Sequence, residues 1–178
     1  MPVDSQIVTK RLAMRRPERS DAKAIFSRYA NDPAVCRYLA WPMHRSIKDT
    51  LDFIAFSDAE WERGPVGPLL VFERDSARLV GGTGLAFEEE GCASTGYVFA
   101  ADAWGVGFAT ETLLGMCELA RSHGVTRLHS LVHPEHVASR RVLEKAGFRR
   151  DALLSRHIEF PNLAPGRRLD ALRYVHEA

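Results

Sequence analysis

The sequence predicts a mixed α/β fold in a single domain over residues 1–178. Two observations predict this class: apolar residues change along the chain between strand-like alternation and helical spacing, and turn-forming residues separate the segments. In order, the segments are a strand, two helices, three strands, a helix, a strand, a helix and two strands. That order is typical of sheet and helix layers around one core, and 178 residues with 46% hydrophobic content can fill it.

The N-terminal segments are predicted to be an edge strand and two helices. Residues 7–16 alternate loosely, as an edge strand does, and Ser20 is the candidate N-cap of the first helix. Asn31-Asp32-Pro33 ends that helix, and the residues through Tyr38 and Trp41 are expected to form a loop. Ser46-x-x-Asp49 resembles a capping box and therefore predicts the start of the second helix.

Three strands and a third helix follow. Residues 69–73 and 79–87 predict a hairpin around the turn at Asp75-Ser76, and residues 93–100 predict another strand. A glycine-rich turn then leads into a helix that is expected to end near His123.

The last part of the chain is predicted to be a strand over residues 127–133, a helix and two further strands. Pro134 is expected to start the helix, because proline is favoured at the first helical position. Gly147 is expected to close it in the left-handed conformation. The final strands cover residues 152–160 and 168–176.

Bulk composition argues against several classes of protein. A net charge of +1, from 24 basic and 23 acidic residues, provides no general field for nucleic acid or an anionic membrane. Three separated cysteines, Cys36, Cys92 and Cys117, suggest packing residues in a reducing compartment. The first six residues contain no apolar signal segment, and no apolar run reaches the roughly 18 residues of a membrane span. We therefore expect a cytoplasmic protein.

The most informative segment is the glycine-rich turn Trp104-Gly-Val-Gly-Phe-Ala-Thr-Glu111, which runs directly into a helical apolar stripe. The start of a helix leaves amide groups without partners and has a partial positive charge, so it can bind phosphate. Gly105 and Gly107 remove side chains that would keep a phosphate away, although glycines also simply permit tight turns. The dinucleotide fingerprint does not fit, because Thr110 occupies the third glycine position, and Gly-Lys-Ser/Thr is absent.

Two separated segments together resemble the GNAT N-acetyltransferases. Trp104 to Glu111 is similar to the acyl-CoA pyrophosphate loop, and Ser139-Arg-Arg-Val-Leu-Glu-Lys-Ala-Gly-Phe148 looks like the second cofactor segment. Thr9-Lys-Arg-Leu-Ala-Met-Arg-Arg16, with Asp21-Ala22 after it, resembles the start of the RimJ/RimL-like branch. The resemblance implies a mostly antiparallel central sheet of about seven strands with helices on both faces.

The resemblance also implies the chemistry: acetyl-CoA donates its acetyl group to a primary amine that attacks the thioester directly in a ternary complex. The amine would belong to a protein or peptide N-terminus or to a small molecule. The implied cofactor-binding residues are Val98, Phe99, Trp104, Val106, Gly107, Phe108, Ala109, Thr110, His136 and Ser139. Ser139 would also supply a proton to the leaving thiolate.

Two positions depart from the family pattern. The loop usually begins with Arg or Gln, where this chain has Trp104, and His136 stands where the RimJ/RimL-like branch commonly has Asn. An amide both donates and accepts through one group, whereas a neutral imidazole does so through different nitrogens, so the contact of His136 with the cofactor is expected to differ.

The general base is the least defined part of the predicted site. The strand that contains Tyr97 has no acidic residue, so we select Glu88 as the catalytic base from a set that also includes Glu89, Glu90, His133 and Glu135. His129, His133 and His136 are candidate metal ligands, but Cys or carboxylate partners at ligand spacing are missing apart from Glu135, so no metal is expected.

The acceptor groove is predicted between residues 38–45 and residues 160–168. Trp41, Pro42, Pro161 and Leu163 would make it partly apolar, and little acidic charge is present for a polycation. The expected partners are therefore an acyl-CoA and a peptide or small neutral-bodied amine, with the protein as a monomer or homodimer. The alternative is a noncatalytic acyl-CoA-binding sensor.

Overall fold

One eight-stranded sheet organises the protein in the computed structural model, which describes residues 7–177. Its strand order is β1-β2-β3-β4-β5-β6-β8-β7. The strands are β1 (Ile7–Val8), β2 (Leu12–Arg15), β3 (Pro68–Glu73), β4 (Leu79–Phe87), β5 (Cys92–Phe99), β6 (Arg127–Val132), β7 (Arg149–Glu159) and β8 (Arg168–Glu177). All neighbouring pairs are antiparallel except β5 and β6, which confirms the predicted mixed, mostly antiparallel sheet. The first six residues, for which no signal segment was expected, lie outside the described residues.

The predicted edge strand over residues 7–16 is wrong in one respect, because it forms two strands that pair with each other. The chain reverses at Thr9, whose amide donates to the Leu12 carbonyl at 2.9 Å. The Thr9 hydroxyl also donates to Glu111 Oε1 at 2.6 Å, a contact across 102 positions that no local pattern could show.

The helices are α1 (Ala22–Ile25), α2 (Pro33–Cys36), α3 (Ile47–Arg63), α4 (Phe108–Ser122) and α5 (Val137–Lys145), and α1 continues through a π-helical turn over Phe26–Ala30. The capping box of Ser46 and Asp49 at the start of α3 is confirmed. Ser20 is not a cap: it lies inside a short 3₁₀ turn that Glu18 and Asp21 cap instead.

Helix α5 also starts later than predicted. Pro134 lies in a turn, in which the His136 amide donates to the His133 carbonyl and the Val137 amide donates to the Glu135 carbonyl, both at 2.9 Å. This turn makes His136 the N-cap residue of α5. At the other end Gly147 has φ +87°, as its predicted left-handed role requires.

Helices cover both faces of the sheet. Alternate residues of β3 belong to different buried clusters: Leu69 and Val71 pack with α4, whereas Leu70 and Phe72 pack with Tyr29 and the α1 side. This arrangement confirms the two helical layers. None of the helices within residues 7–177 is both long and apolar enough to cross a membrane.

A wedge opens between the two parallel strands near the middle of the sheet. β5 and β6 pair only where Cys92, Ala93 and Ser94 face residues 127–129, and both strands then continue without pairing to each other. The unpaired stretches of β5 and β6 line one large cavity. The sheet therefore provides an opening next to the N-terminus of α4, which follows β5 in the chain.

Candidate active site

The N-terminus of α4 presents a row of free amide groups. Gly105 and Gly107 have φ values of +77° and +87°, a backbone region that side-chain-bearing residues rarely adopt. The first intrahelical bond runs from the Glu111 amide to the Gly107 carbonyl at 3.1 Å. Within residues 7–177, the amides of residues 105–110 have no hydrogen-bond acceptor, and we call them the amide cradle. Such a cradle is a suitable binding site for phosphate.

The β1–β2 turn holds the amide cradle in place. Arg11 Nη1 donates to the Val106 carbonyl at 2.9 Å, and Arg11 Nε donates to Glu111 Oε2 at 2.7 Å. Glu111 Oε1 also accepts from the Arg11 amide and the Thr9 hydroxyl. Burial would raise the pKa of Glu111, but the hydrogen bonds from Thr9 and Arg11 outweigh burial and lower it. Glu111 therefore links the first turn of α4 to the N-terminal hairpin as a carboxylate.

Trp104 connects the amide cradle to the end of β5. Its indole Nε1 donates to the Phe99 carbonyl at 2.8 Å, while 52% of the residue stays exposed. This contact gives a physical reason for tryptophan at the first position of the loop, because an indole N–H can occupy the last free carbonyl of β5.

The edge of β5 that faces the wedge is formed by alternate residues. The Ala100 amide donates to the Val80 carbonyl of β4 at 2.9 Å. Because the backbone N–H and C=O groups of alternate residues point to the same side of a strand, those of Val98 also point toward β4. Those of Tyr97 and Phe99 point toward the wedge. Of the two predicted strand residues, Phe99 presents its backbone to the wedge, whereas Val98 contributes its side chain to the cavity lining.

Ser139 lies in the cavity in contact with Tyr97. Their hydroxyl oxygens are 2.8 Å apart, and the Tyr97 hydroxyl also donates to the Ser139 carbonyl at 3.1 Å. Burial raises the pKa of Tyr97 to about 12, although the Ser139 hydrogen bond lowers it. Tyr97 therefore stays protonated near neutral pH, and its hydroxyl and that of Ser139 are hydrogen-bonded to each other. No local motif predicts this contact, because Tyr97 and Ser139 are 42 positions apart in the chain.

His136 also lines the cavity, one helical turn before Ser139. Its ring stacks on Tyr38 with centroids 4.7 Å apart, and His133 stacks on Tyr38 at 5.1 Å without lining the cavity. Burial lowers the pKa of His136, and the neighbouring His133 lowers it further. His136 is therefore held as a neutral imidazole at the cavity wall.

Glu88 lies at the other end of the sheet opening. It follows the Phe87–Ala93 pair, which is four residues along the strands from the Thr83–Tyr97 pair, or about 13 Å. It does not line the cavity, and its carboxylate oxygens are each 3.0 Å from His129 Nε2. Burial would raise the pKa of Glu88, but the hydrogen bond and charge of His129 lower it overall. This placement does not favour Glu88 as the base.

The cavity has a volume of about 880 Å³ and continues from the wedge to an apolar pocket. Trp41 and Pro42 line it, as predicted, but Pro161 and Leu163 do not. Further apolar parts of the wall include Leu39, Met43, Phe53, Phe56, Ile158 and Phe160.

Asn162 explains why the loop after β7 does not form a separate wall of the groove. Its Nδ2 donates to the carbonyls of Cys36 and Trp41 at 2.7 and 2.9 Å, and its Oδ1 accepts from the Met43 amide at 2.9 Å. The loop after β7 is therefore tied directly to residues 38–45.

The two acidic groups at the pocket already have partners. Asp49 accepts from the amides of Arg45 and Ser46 at 2.8 and 2.9 Å, and Asp52 pairs with Lys48 at 2.6 Å. No group of three or more His, Cys, Asp or Glu side chains within residues 7–177 is arranged to hold a metal ion.

Comparison with known proteins identifies the class to which this site belongs. A sequence model described as the acetyltransferase (GNAT) domain matches residues 11–149. The protein is an acyl-CoA-dependent N-acetyltransferase, with acetyl-CoA as its cosubstrate. It belongs to the GNAT acetyltransferase family, as the two segments at residues 104–111 and 139–148 predicted.

Individual proteins show the same likeness. The uncharacterized N-acetyltransferase p20 of Bacillus licheniformis is 25% identical over 151 residues, which cover 83% of this chain and 84% of p20. The structure of a GNAT-family acetyltransferase from Bacillus anthracis has a TM-score of 0.83 at 23% identity, covering 97% of this chain and 98% of its own. RimJ of Mycobacterium smegmatis, in complex with CoA-disulfide, has a TM-score of 0.81 at 22% identity, covering 94% and 82%. At these identities the structural likeness shows the shared fold.

Proposed function

We propose that the protein acetylates a primary amine carried on an apolar body, by direct attack on acetyl-CoA in a ternary complex. The observation that supports this most strongly is the continuity of one cavity with the β5–β6 wedge and with a pocket lined by Trp41, Met43 and Phe53. A donor entering along the wedge and an amine entering from the pocket would meet beside Tyr97 and Ser139.

The donor half of the site is assigned to backbone groups. The amides from Val106 to Thr110 would bind the diphosphate, since they are free and lie at the positive end of α4. The wedge-facing backbone of Tyr97 would pair with the amides of the pantetheine arm, as an added strand does. Trp104 would act through the loop, because its N–H is already bonded to Phe99.

The leaving thiolate would receive a proton from the Ser139–Tyr97 pair. Replacing Ser139 with Ala should lower kcat by about 10²-fold or more, because proton transfer of this kind contributes about 10² to 10⁴ in rate. Affinity for acetyl-CoA, measured by calorimetry, should change little. If kcat stays intact while affinity falls, Ser139 is a binding residue and not the acid.

The acceptor is proposed to be an amine on an apolar or aromatic body, in contrast to a polyamine. Asp49 and Asp52 are engaged by backbone amides and Lys48, so no free acidic wall faces the pocket. Burying one aromatic ring is worth about 1.5–3 kcal/mol, which corresponds to a preference of about 10- to 150-fold.

The test is release of free thiol from acetyl-CoA in the presence of phenethylamine, ethylamine, spermidine or a short peptide with a free N-terminus. The expected result is amine-dependent release, with kcat/KM for phenethylamine about 10- to 150-fold above that for ethylamine. Equal values for the two amines would contradict the apolar acceptor. Binding of acetyl-CoA without release by any amine would favour the noncatalytic sensor.

The cellular setting is also part of the proposal. Cys36, Cys92 and Cys117 are all free thiols, which is consistent with a reducing compartment such as the cytoplasm. A monomer or homodimer without a nucleic-acid or membrane partner remains the prediction for the assembly.

A further inference from the structure

We propose that His136 is the general base that removes the proton from the acceptor amine, at the position where the RimJ/RimL-like pattern has asparagine. This role rests on the proposed function, and it replaces the earlier choice of Glu88. The cavity-lining imidazoles and carboxylates differ in where they lie and in which of their acceptor atoms are free.

His136 is the cavity-lining imidazole whose two ring nitrogens both lack a hydrogen-bond partner within residues 7–177. His44, which also lines the cavity, contacts Thr50 Oγ1 at 2.9 Å through its Nδ1. His133 does not line the cavity, and its Nδ1 accepts from the Glu135 amide at 3.2 Å. Asp49 accepts from the amides of Arg45 and Ser46 through Oδ2, which lowers the pKa of that carboxyl, and Asp52 Oδ2 pairs with Lys48, so both carboxylates are weakened as proton acceptors. His136 therefore has the free acceptor atom that a base requires.

The position of His136 also suits the reaction. It is the N-cap residue of α5, and Ser139 follows three residues later in the first turn of that helix. Both residues line the cavity. A base and an acid would thus lie on one wall of the cavity, close enough to serve the nitrogen and the sulfur of the same thioester attack.

The surroundings of His136 keep it in the form that accepts a proton. Tyr38 stacks on the ring, and Arg37 lies over the Tyr38 ring at 5.3 Å. Arg140 follows on α5, where its Nη1 donates to the Pro134 carbonyl at 3.1 Å. The other groups near the ring are His133, the exposed Glu135, and the hydroxyls of Ser139 and Tyr97. Burial and His133 both hold the pKa of His136 below its usual range.

The proton balance is complete without any further reactant. His136 takes one proton from the bound ammonium and becomes imidazolium, and the neutral amine forms its bond to the thioester carbonyl carbon. As the tetrahedral adduct collapses, the carbon–sulfur bond breaks, the sulfur gains a proton from the Ser139–Tyr97 pair, and the nitrogen loses its second proton to restore that pair. His136 then releases its proton to solvent, so one amide, one thiol and one proton are formed.

The experiment compares wild-type protein with His136→Asn, using acetyl-CoA and phenethylamine. Asparagine is a preferred N-cap residue, so this variant should keep the thermal stability of α5. We expect kcat to fall by about 10²-fold or more, while the dissociation constant of acetyl-CoA stays within about threefold. In the wild-type protein, kcat should rise with pH and level off, with the midpoint of the rise below about pH 6.5, as the titration of His136 requires. In the variant, kcat should keep rising with pH toward the pKa of the amine, about 10.4 for a lysine-like alkylamine.

Two further measurements separate a base from a structural residue. Free imidazole should restore part of the kcat of His136→Ala, which a purely structural role would not allow. The matched control is His133→Asn, which alters the other imidazole stacked on Tyr38. Above pH 7, where His136 is neutral with or without His133, this variant should keep kcat within about threefold, because His133 does not line the cavity.

The role of His136 would be overturned if the rise of the wild-type kcat with pH had its midpoint above pH 7. It would also be overturned if the His136→Asn protein were folded and had an unchanged kcat. Loss of acetyl-CoA affinity with kcat retained would also overturn it, and would make His136 a cofactor ligand. Absence of amine-dependent thiol release from the wild-type protein has a different meaning, since it would overturn the proposed function and this role together.

Discussion

The substitution Gly107→Val tests the amide cradle most sharply. Gly107 has φ +87°, and a Cβ placed there would lie 3.4 Å from Arg11 Nη2, the flexible end of a side chain. The cost is therefore mainly conformational, and a side-chain-bearing residue held in this region costs about 1–3 kcal/mol. If the free loop relaxes to avoid that strain, acetyl-CoA must restore the loop on binding. The expected loss of affinity is about 5- to 150-fold.

Gly124→Val is the matched control for this substitution. Gly124 follows the C-terminal end of the same helix α4, has φ +77°, and has no atom within 4 Å of an added Cβ. It carries a comparable conformational cost but lies far from the amide cradle. Urea denaturation should therefore show a loss of about 1–3 kcal/mol for the control, with the dissociation constant of acetyl-CoA in calorimetry unchanged. Unchanged affinity in Gly107→Val, or an equal loss in both variants, would refute the assignment of the diphosphate to this loop.

Three further predictions concern the supports of the site. Glu111→Gln should lower the free energy of unfolding by about 1–3 kcal/mol in urea denaturation and weaken acetyl-CoA binding, because the contacts of Glu111 with Thr9 and Arg11 hold the loop. The control Glu118→Gln, on the exposed face of α4, should change neither quantity. Asn162→Ala should raise the KM for the amine but not the dissociation constant of acetyl-CoA, and an unchanged KM would show that the tie to residues 38–45 does not shape the pocket. Thermal stability should fall as the pH decreases through about 6.5, since the unfolded chain binds more protons there. A flat profile from pH 7 to 5 would contradict the lowered pKa of the partly buried imidazoles, which are His44, His133 and His136.

The sequence predicted the parts of the site that depend on local backbone geometry. The positive φ of Gly105 and Gly107 and the free amides after them follow from glycine and from the start of a helix, both visible in a few consecutive residues. Most strand and helix bounds also followed from apolar spacing. These features need no knowledge of distant residues.

What the sequence could not predict depends on contacts between distant residues. Tyr97 meets Ser139 across 42 positions, and Asn162 reaches Cys36 across 126. The place of Glu88 in the chain made it a candidate base, and only the sheet register shows that it lies on the side of the wedge where β5 and β6 are paired. The split of the first strand at Thr9 likewise depends on Glu111, which lies far along the chain.

The central claim is that free amides at the start of α4 hold the diphosphate of acetyl-CoA, so that the thioester lies in the β5–β6 wedge. A crystal structure with bound acetyl-CoA tests it most directly. We expect diphosphate oxygens at about 2.7–3.2 Å from amides between Val106 and Thr110, with the thioester sulfur near the Ser139 hydroxyl. A diphosphate bound elsewhere, with these amides contacting only water, would contradict the claim.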